Sequence, residues 1–172
     1  ATEDGMMFRP VAFDYPEDAM ARQVQDQLML GDDLMIAPIY TQNAAGRYVY
    51  LPEDMLLVRM KSPEDLYIEE MQKGHHYVKA ALNELIFFIK RGHVMPLARV
   101  PEHLRTSADL DEHDLAWIGW INMPVRALLY RDDGVKRYDP DEAAYEIFDF
   151  WPGSFRRHCS YPDHENTRRN NY

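Results

Sequence analysis

The sequence has a single cysteine, an excess of acidic over basic residues and no long apolar segment. Cys159 cannot form a disulfide within the chain, and one cysteine excludes a cysteine-rich zinc module. We therefore expect a reducing, cytoplasmic location. No window approaches the roughly 20 apolar residues of a membrane-spanning helix, so we expect no membrane partner. The net charge of −10 repels a phosphate backbone, so we also expect no nucleic-acid partner.

What the chain does contain is enough apolar material for a core. Its 172 residues are 46% hydrophobic and 12% aromatic, which suits one domain or one domain plus part of another. The first residue is Ala1 rather than methionine. We therefore expect a processed product or a piece of a longer protein.

The first 31 residues carry a strand pattern and then a helix pattern. "MMFRPVAF" (6–13) is apolar on both faces apart from Arg9, which predicts a strand buried on both sides. In "DYPEDAMARQVQDQLMLG" (14–31), Asp14 is typical of a helix start and Gly31 lies where a C-terminal cap belongs. An apolar stripe at helical spacing consists of Met20, Val24 and Leu28. These patterns predict a strand followed by one helix.

After Gly31 the sequence changes to short β-type runs separated by turn residues. The first two runs flank "TQNAAG" (41–46), which predicts a hairpin between them. Regular spacing of such runs favours an antiparallel β-sandwich. Residues 153–172 have little periodicity and predict an irregular tail. The predicted strands are 34–40, 47–52, 55–60, 75–81, 85–90, 94–98, 115–121, 125–130 and 143–150.

Two pairs of adjacent aspartates suggest a metal site at first. Asp32-Asp33 and Asp132-Asp133 follow the pattern by which template-directed polymerases hold catalytic metal ions. Such an enzyme also needs a further aspartate on a neighbouring strand and a basic template channel, which a chain of charge −10 does not supply. We interpret both pairs as turns, since Asp133-Gly134 is a dipeptide that hairpin turns prefer.

Three further groups of polar residues have simpler interpretations than chemistry. Adjacent His75 and His76 would project to opposite faces of a strand, so they do not predict a shared metal. "DLDEHD" (109–114) lacks the glycine and ligand spacing of a calcium loop and reads as an exposed acidic turn. His158 beside Cys159 is not a catalytic pair by adjacency alone. We expect no metal site and no cofactor.

Several motifs together resemble glycoside hydrolase family 31, the family of α-glucosidases and α-xylosidases. The resemblance follows the family's order and spacing over about 145 residues. The later segments look like an aliphatic strand with an arginine-glycine turn and an aromatic-acidic hairpin. The motifs are "RPVAFDYP" (9–16), "DQLMLGDDLMIAP" (26–38), "RYVYLP" (47–52), "ALNELIFFIKRGHVMPLA" (81–98) and "ALLYRDDGVKRYDPDEAAYEI" (127–147).

The chain also departs from the family pattern. The usual Arg-Gly-Gly turn reads Arg91-Gly92-His93, and residues 55–71 replace a Trp-Tyr-Asp stretch. Residues 153–172 match no part of the family. The resemblance implies a mainly β fold, an antiparallel β-sandwich preceded by one strand and one helix left over from a (β/α)8 barrel. The implied domains are the end of the barrel at 1–33, the sandwich at 34–152 and an irregular tail at 153–172.

The resemblance also implies an activity for a parent enzyme. Retaining members use two carboxylates on either side of the anomeric carbon, and both lie upstream of the segment that this chain resembles. The nucleophile signature Trp-x-Asp-Met-Asn-Glu does not occur in the 172 residues. We therefore expect no catalytic residue in this chain and no hydrolysis by it alone. The parent would act on terminal α-linked glucose or xylose of an α-glucoside or oligosaccharide, without a cofactor.

Two residues are candidates for contact with that substrate. By resemblance, Arg9 and Asp14 lie where the last barrel strand and its following loop approach the cleft end. The alternative is structural, with Arg9 as a buried partner and Asp14 as a helix cap, which is the commoner use of such an aspartate.

Two other functions stay open at the level of sequence. Trp117, Trp120 and Trp151 would allow a non-catalytic sandwich that binds carbohydrate by stacking sugars on exposed rings, although core packing is the commoner use of tryptophan. The chain would otherwise be a stand-alone interaction protein. A barrel strand without neighbours would also expose residues 6–13, so we expect self-association through that segment.

Overall fold

The computed structural model describes residues 6–62, 65–100, 103, 105, 106, 110, 111, 114–131 and 144–160, with only the backbone for 144 and 154–160. Within these residues the chain forms thirteen strands, one α-helix and one 3₁₀ turn. The helix α1 is Val11–Asp14 and the 3₁₀ turn is Ala21–Gln23. The strands are β1 Phe8–Pro10, β2 Leu28–Leu30, β3 Leu34–Ile36, β4 Gly46–Leu51, β5 Met55–Ser62, β6 Asp65–Met71, β7 Gly74–Lys79, β8 Leu85–Lys90, β9 Val94–Ala98, β10 Leu115–Gly119, β11 Val125–Arg131, β12 Ala144–Trp151 and β13 Ser154–Ser160. The predicted mainly β, antiparallel class with a single helix is confirmed.

The chain divides into two compact units, and the larger one spans residues 6–120. Its main sheet has six strands in the order β1-β2-β3-β8-β5-β6, and every pairing is antiparallel. A two-stranded ribbon, β4–β7, and a second pair, β9–β10, complete this unit.

Apolar side chains cover both faces of the main sheet. On one face, Met55, Leu57 and Phe88 pack with residues of the β4–β7 ribbon such as Val49 and Val78. On the other face, Leu56, Val58, Phe87 and Ile89 pack with Ile118 of β10 and partly buried residues of β9. Because both faces are buried, the central strands read as continuous apolar runs, "MLLV" in β5 and "IFFI" in β8, instead of alternating.

The smaller unit contains residues 121–172, of which the structure describes 121–131 and 144–160, together with residues 1–5. Its sheet is a meander in the order β11-β12-β13. Arg126 and Asp149 stand opposite each other on β11 and β12 and form an ion pair at 2.7 Å. Arg131 pairs with Glu146 at 2.8 Å. Both acids are buried, so each carries a guanidinium partner where an unpaired charge would be costly.

The predicted helix over residues 14–31 is wrong in position and length. The α-helix ends at Asp14, and the backbone becomes extended again at Val24 after the 3₁₀ turn. Residues 28–30 form β2, which pairs with β1 on one side and β3 on the other. Met29 is fully buried at the centre of this strand. Met20, Val24 and Leu28 fit a helical stripe by coincidence. The pairing of β2 with β1 and β3 decides the conformation of residues 28–30.

Gly31 does not cap a helix; it lies in the turn between β2 and β3 with φ of +58°. Glycine adopts this left-handed conformation without the steric cost that a Cβ imposes. Asp32 and Asp33 complete the turn, so the interpretation of this aspartate pair as a turn is confirmed. Asp132, Asp133 and Gly134 lie outside the described residues.

The predicted hairpin between 34–40 and 47–52 is also wrong. Strand β4 pairs with β7, while β3 pairs with β8 in the main sheet. Gly46 begins β4 where the two backbones approach closely, since a Cβ there would lie 2.8 Å from Lys79 Cα. Strands β6 and β13 were not predicted, and β13 lies within the predicted irregular tail.

Candidate functional site

The two candidate residues for substrate contact bind each other. Arg9 lies on β1 and Asp14 ends α1. The Arg9 guanidinium donates from Nε to Asp14 Oδ1 and from Nη2 to Asp14 Oδ2, the latter at 2.9 Å. Their side chains are 16% and 12% exposed. A bidentate pair of this kind fixes both side chains in one geometry.

Arg9 also joins two further segments of the chain. Its Nη2 donates to Asp32 Oδ1 at 3.0 Å, in the β2–β3 turn, and its Nη1 donates to the Met6 carbonyl at 3.2 Å. The hydrogen bond to Asp14 is the main reason that the Arg9 pKa is raised, with smaller contributions from Asp32. Four hydrogen bonds occupy most of the five N–H donors of a guanidinium. We call Arg9, Asp14 and Asp32 the arginine cluster.

The arginine cluster reaches the centre of the main sheet through Lys90. Lys90, the last residue of β8, places its Nζ 3.9 Å from Asp14 Oδ2. The same ammonium lies 5.8 Å from the centroid of the Tyr15 ring. Burial, with the nearby Glu53 carboxylate as the next contribution, raises the pKa of Tyr15, so its phenol stays protonated. The cluster therefore connects β1, α1, the β2–β3 turn and β8.

A second polar network lies beside the arginine cluster and centres on Asp18. Asp18 Oδ1 accepts the backbone N–H of Met20 at 2.9 Å and of Ala21 at 3.2 Å, at the start of the 3₁₀ turn. Asp18 Oδ2 accepts the Tyr50 hydroxyl at 2.7 Å and the Lys73 ammonium at 3.0 Å. The Tyr50 and Lys73 hydrogen bonds, in that order, lower the pKa of Asp18.

The two networks border a shallow groove of 640 Å³, lined by Asp14, Tyr15, Asp18, Tyr50 and Lys73 among others. Beneath it, the buried Gln27 amide pairs with the backbone of Tyr50. Its Nε2 donates to the Tyr50 carbonyl at 2.7 Å, and its Oε1 accepts the Tyr50 N–H at 2.8 Å. These contacts join the segment before β2 to β4, whose Tyr50 lines the groove.

The structural alternative for Arg9, a buried partner, fits its position, whereas the helix-cap interpretation of Asp14 is wrong. Helix α1 has no side-chain cap, and Asp18 binds the N–H groups that open the 3₁₀ turn. Direct contact of Arg9 or Asp14 with a sugar stays a prediction. Sequence reasoning missed Asp18, Tyr50 and Lys73, because contacts across 32 and 55 positions leave no local spacing signal.

The other candidate groups are separate in the structure. The His75 ring packs on Tyr50 with centroids 4.9 Å apart, while His76 Nε2 lies 2.7 Å from the Gln72 carbonyl on the other face of β7. Asp33 lies 2.7 Å from His93 Nδ1. Among the described residues, no group of three or more His, Cys, Asp or Glu side chains could hold a metal ion.

The remaining sequence candidates are tryptophans and residues that are only partly described. Trp117 and Trp120 are half-buried, and Arg91 lies over the Trp120 ring at 5.2 Å. Half of the acidic stretch 109–114, namely residues 109, 112 and 113, and the side chains of His158 and Cys159 lie outside the described residues. In the part of the chain that the structure describes, no helix is long and apolar enough to span a membrane.

Comparison with known proteins identifies the class of this domain. The model of the glycosyl hydrolase family 31 C-terminal domain matches residues 4–95. Alpha-glucosidase 2 of Bacillus thermoamyloliquefaciens is 30% identical over 131 residues, which are 74% of this chain and 15% of that protein. Neutral alpha-glucosidase AB of mouse is 32% identical over 96 residues, which are 52% of this chain and 9% of that protein.

A solved structure agrees with the fold. A family 31 dextranase of Flavobacterium johnsoniae, complexed with glucose, superposes with a TM-score of 0.62 at 23% identity, covering 85% of this chain and 18% of that one. Because the family model covers residues 4–95, the layered β unit is a glycoside hydrolase domain. The chain belongs to glycoside hydrolase family 31. It spans a small fraction of the length of its relatives.

Proposed function

We propose that this chain is the C-terminal portion of a retaining, α-glucosidase-like enzyme, and that it supports the catalytic barrel without supplying catalytic carboxylates. The parent enzyme hydrolyses terminal α-linked glucose or xylose and needs no cofactor. The observation that carries this proposal is the match of residues 4–95 to the family 31 C-terminal domain, together with the named relatives that are α-glucosidases. A cytoplasmic location and the division at residues 33 and 152 are parts of the same proposal.

The hydrogen bonds of Asp14 and Asp18 favour a structural, non-catalytic role for this chain. A retaining glycosidase needs a carboxylate nucleophile and a proton donor about 5–5.5 Å apart across an open sugar site. Asp14 is bound bidentately by Arg9, and Asp18 accepts four hydrogen bonds. These partners occupy the oxygens of both carboxylates, and those of Asp18 also lower its pKa, which suits neither a proton donor nor a free nucleophile. The reacting groups therefore come from the rest of the parent enzyme.

In this proposal, the arginine cluster joins the edge strand β1 and the helix α1 to the β2–β3 turn and to the central strand β8 of the main sheet. Arg9 contributes from β1, Asp14 from α1, Asp32 from the β2–β3 turn, and Lys90 from β8. The cluster would thereby set the position of the barrel's last strand relative to the sandwich. Arg9 and Asp14 act as positioning residues.

Activity measurements on the chain and on the complete parent test the proposal. The parent should release 4-nitrophenol from an aryl α-glucoside or α-xyloside, and the 172-residue chain should release none. In the parent, Arg9→Met should lower the thermal midpoint with KM unchanged. Hydrolysis by the chain alone would contradict the supporting role, and a raised KM at an unchanged midpoint would instead assign Arg9 to substrate contact.

A further inference from the structure

Three exposed tyrosines lie on the β4–β7 ribbon and in the loop before it. Tyr40 and Tyr48 are each 73% exposed, and Tyr77 is 50% exposed. Tyr48 and Tyr77 stand directly opposite each other in the ribbon, with ring centroids 5.1 Å apart and planes at 68°. Tyr77 thus supports the Tyr48 ring edge-on and leaves ring surface facing solvent. Single exposed rings are common, but adjacent ones are typical of binding surfaces.

A small depression of 180 Å³ lies between two of these rings, with Asp26, Tyr40, Arg47 and Tyr48 in its lining. We call these four residues the tyrosine notch. Tyr40 comes from the loop after β3, Tyr48 from β4, and Asp26 from the segment before β2. The volume is below the ~300–1,000 Å³ of enclosed ligand pockets. It therefore suits one sugar-sized ring at a surface.

Arg47 forms a rigid base for the tyrosine notch. Its Nη1 donates to the carbonyls of Pro38 at 2.7 Å and Asp26 at 3.1 Å, and its Nε donates to the Tyr48 carbonyl at 3.0 Å. Its Nη2 lies 2.6 Å from Asp26 Oδ2, and the guanidinium lies 5.9 Å from the Tyr40 ring centroid. The Arg47 side chain is 14% exposed. Its contacts connect the Asp26 and Tyr48 sides of the tyrosine notch, so the notch is preorganised for a ligand.

The polar groups of the tyrosine notch fit a neutral ligand with hydroxyl groups. Asp26 is 40% exposed and accepts the Tyr40 hydroxyl at 3.3 Å through Oδ2. Within the described part of the chain, Asp26 Oδ1 has no hydrogen-bond partner, so it can accept a ligand hydroxyl. The Asp26 and Arg47 charges neutralise each other, and the chain's charge of −10 disfavours anionic polymers.

From this combination we infer that the tyrosine notch is a non-catalytic binding site for a neutral oligosaccharide, whose C–H faces pack on Tyr40 and Tyr48 while a hydroxyl donates to Asp26. Aromatic rings with a wet edge suit such a ligand, since one side of a sugar ring is apolar and its rim is polar. The choice of an α-linked glucan as that oligosaccharide rests on the proposed function of the parent.

Affinity electrophoresis of the 172-residue chain tests the site. Native gels containing glycogen should slow the unchanged chain, and titration with maltoheptaose should give a saturable heat signal. Tyr40→Ala and Tyr48→Ala should each weaken both signals at least tenfold. Tyr67→Ala is the matched control, because Tyr67 is 55% exposed on β6 and outside the tyrosine notch. Asp26→Asn, which keeps the shape, should also weaken binding.

Thermal unfolding of each variant shows whether a loss of binding comes from a loss of folding. If Tyr48→Ala does not fold, Tyr40→Ala tests the site alone, because Tyr40 lies in a loop. Equal retardation of the unchanged chain and the notch variants would overturn the inference, as would no retardation of the unchanged chain. Hydrolysis by the parent is an independent readout. If the chain binds glucan but the parent hydrolyses no substrate, only the proposed function is contradicted. If the parent hydrolyses its substrate but the chain binds no glucan, only the inference about the tyrosine notch is contradicted.

Discussion

At the scale of single residues, the most buried acidic side chains of the described residues have specific partners. The sequence has 29 acidic and 19 basic residues, a balance that disfavours a compact state through self-repulsion. The most buried acids, Glu146 and Asp149, are each paired with an arginine of β11. Asp14 and Asp18 bind a cation as well. Pairing at the few buried positions offsets the general repulsion.

Replacing Arg9 should destabilise the chain more than replacing an exposed arginine. Arg9→Met leaves Asp14 largely buried without its bidentate partner, which should cost about 1–3 kcal/mol of unfolding free energy. Arg99→Met is the control, since Arg99 and Asp114 are 63% and 57% exposed and such surface pairs contribute about 0–1 kcal/mol. Urea denaturation followed by circular dichroism measures both. Equal losses in the two variants would contradict a structural role for Arg9.

The Asp18 network should make stability depend on pH in the acid range. The folded-state pKa of Asp18 is lowered by Tyr50 and Lys73, so its contribution is complete above the unfolded pKa of about 3.9. That contribution is lost as the pH falls from there through the folded pKa. Asp18→Asn should therefore unfold at a lower temperature at pH 7 and lose less stability on acidification to pH 3. If the thermal midpoints of the unchanged chain and of Asp18→Asn fall by the same amount between pH 7 and pH 3, the Asp18 network does not cause the pH dependence.

At the scale of the element, the sequence predicts strands best where turn residues bound an apolar run. The bounds 85–90 and 94–98 agree with β8 and β9, since "RGH" separates two apolar segments. Strand β6 was missed because "DLYIEEM" is charged and largely exposed at the edge of the main sheet. Strand β2 was missed because its apolar residues also fit a helical stripe.

Strand partners depend on packing between distant segments, which local sequence patterns do not record. A glycine-containing connection predicted a β3–β4 hairpin, yet β4 leaves the main sheet and pairs with β7 to cover its face. The residues of the candidate site also depend on contacts between distant segments. Arg9 and Asp14 were named through the resemblance to family 31, and the sequence did not show that they bind each other. The Asp26–Arg47 and Asp18–Lys73 pairs join segments that only the fold brings together, so no local pattern indicated them.

Strand β8 is the central element of the main sheet, and its buried face should dominate stability. Phe88 is fully buried between β3 and β5, so Phe88→Ala should cost about 3–5 kcal/mol of unfolding free energy. Leu85→Ala is the control on the same strand, because Leu85 is 56% exposed and a surface change costs about 0.5 kcal/mol or less. Guanidinium denaturation measures the difference. Similar denaturation midpoints for Phe88→Ala and Leu85→Ala would show that the buried face of β8 is not part of the core.

At the scale of the whole molecule, the edge strand β1 is paired on one side only and carries exposed apolar side chains. The structure corrects the expectation that residues 6–13 have no neighbour, since β1 pairs with β2. Within the described residues, however, β1 ends the main sheet. The exposed fractions of Met6, Met7, Phe8 and Phe13 are 54%, 67%, 46% and 63%. Exposed apolar side chains at the edge of a sheet are typical of contact surfaces.

We predict that the 172-residue chain self-associates through residues 6–13. Its sedimentation coefficient should rise with concentration, and a chain with Met7→Lys and Phe8→Glu should sediment as a monomer. Leu82→Glu is the control, because Leu82 is fully exposed far from β1 in the sequence and in a different turn. A monomeric unchanged chain, with the amides of 6–13 protected from hydrogen exchange, would refute the prediction.

The order of strands in the main sheet has a consequence for how the chain reaches this fold. Ile36 of β3 pairs with Phe87 of β8, so β3 has no inner partner until the chain as far as β8 has left the ribosome. Closing so long a segment is entropically costly and slows folding. A nascent chain that stops before β8 would expose the apolar edges of β3 and β5 together. Early contacts with a chaperone, or with an already folded part of the same polypeptide, would protect those edges during synthesis.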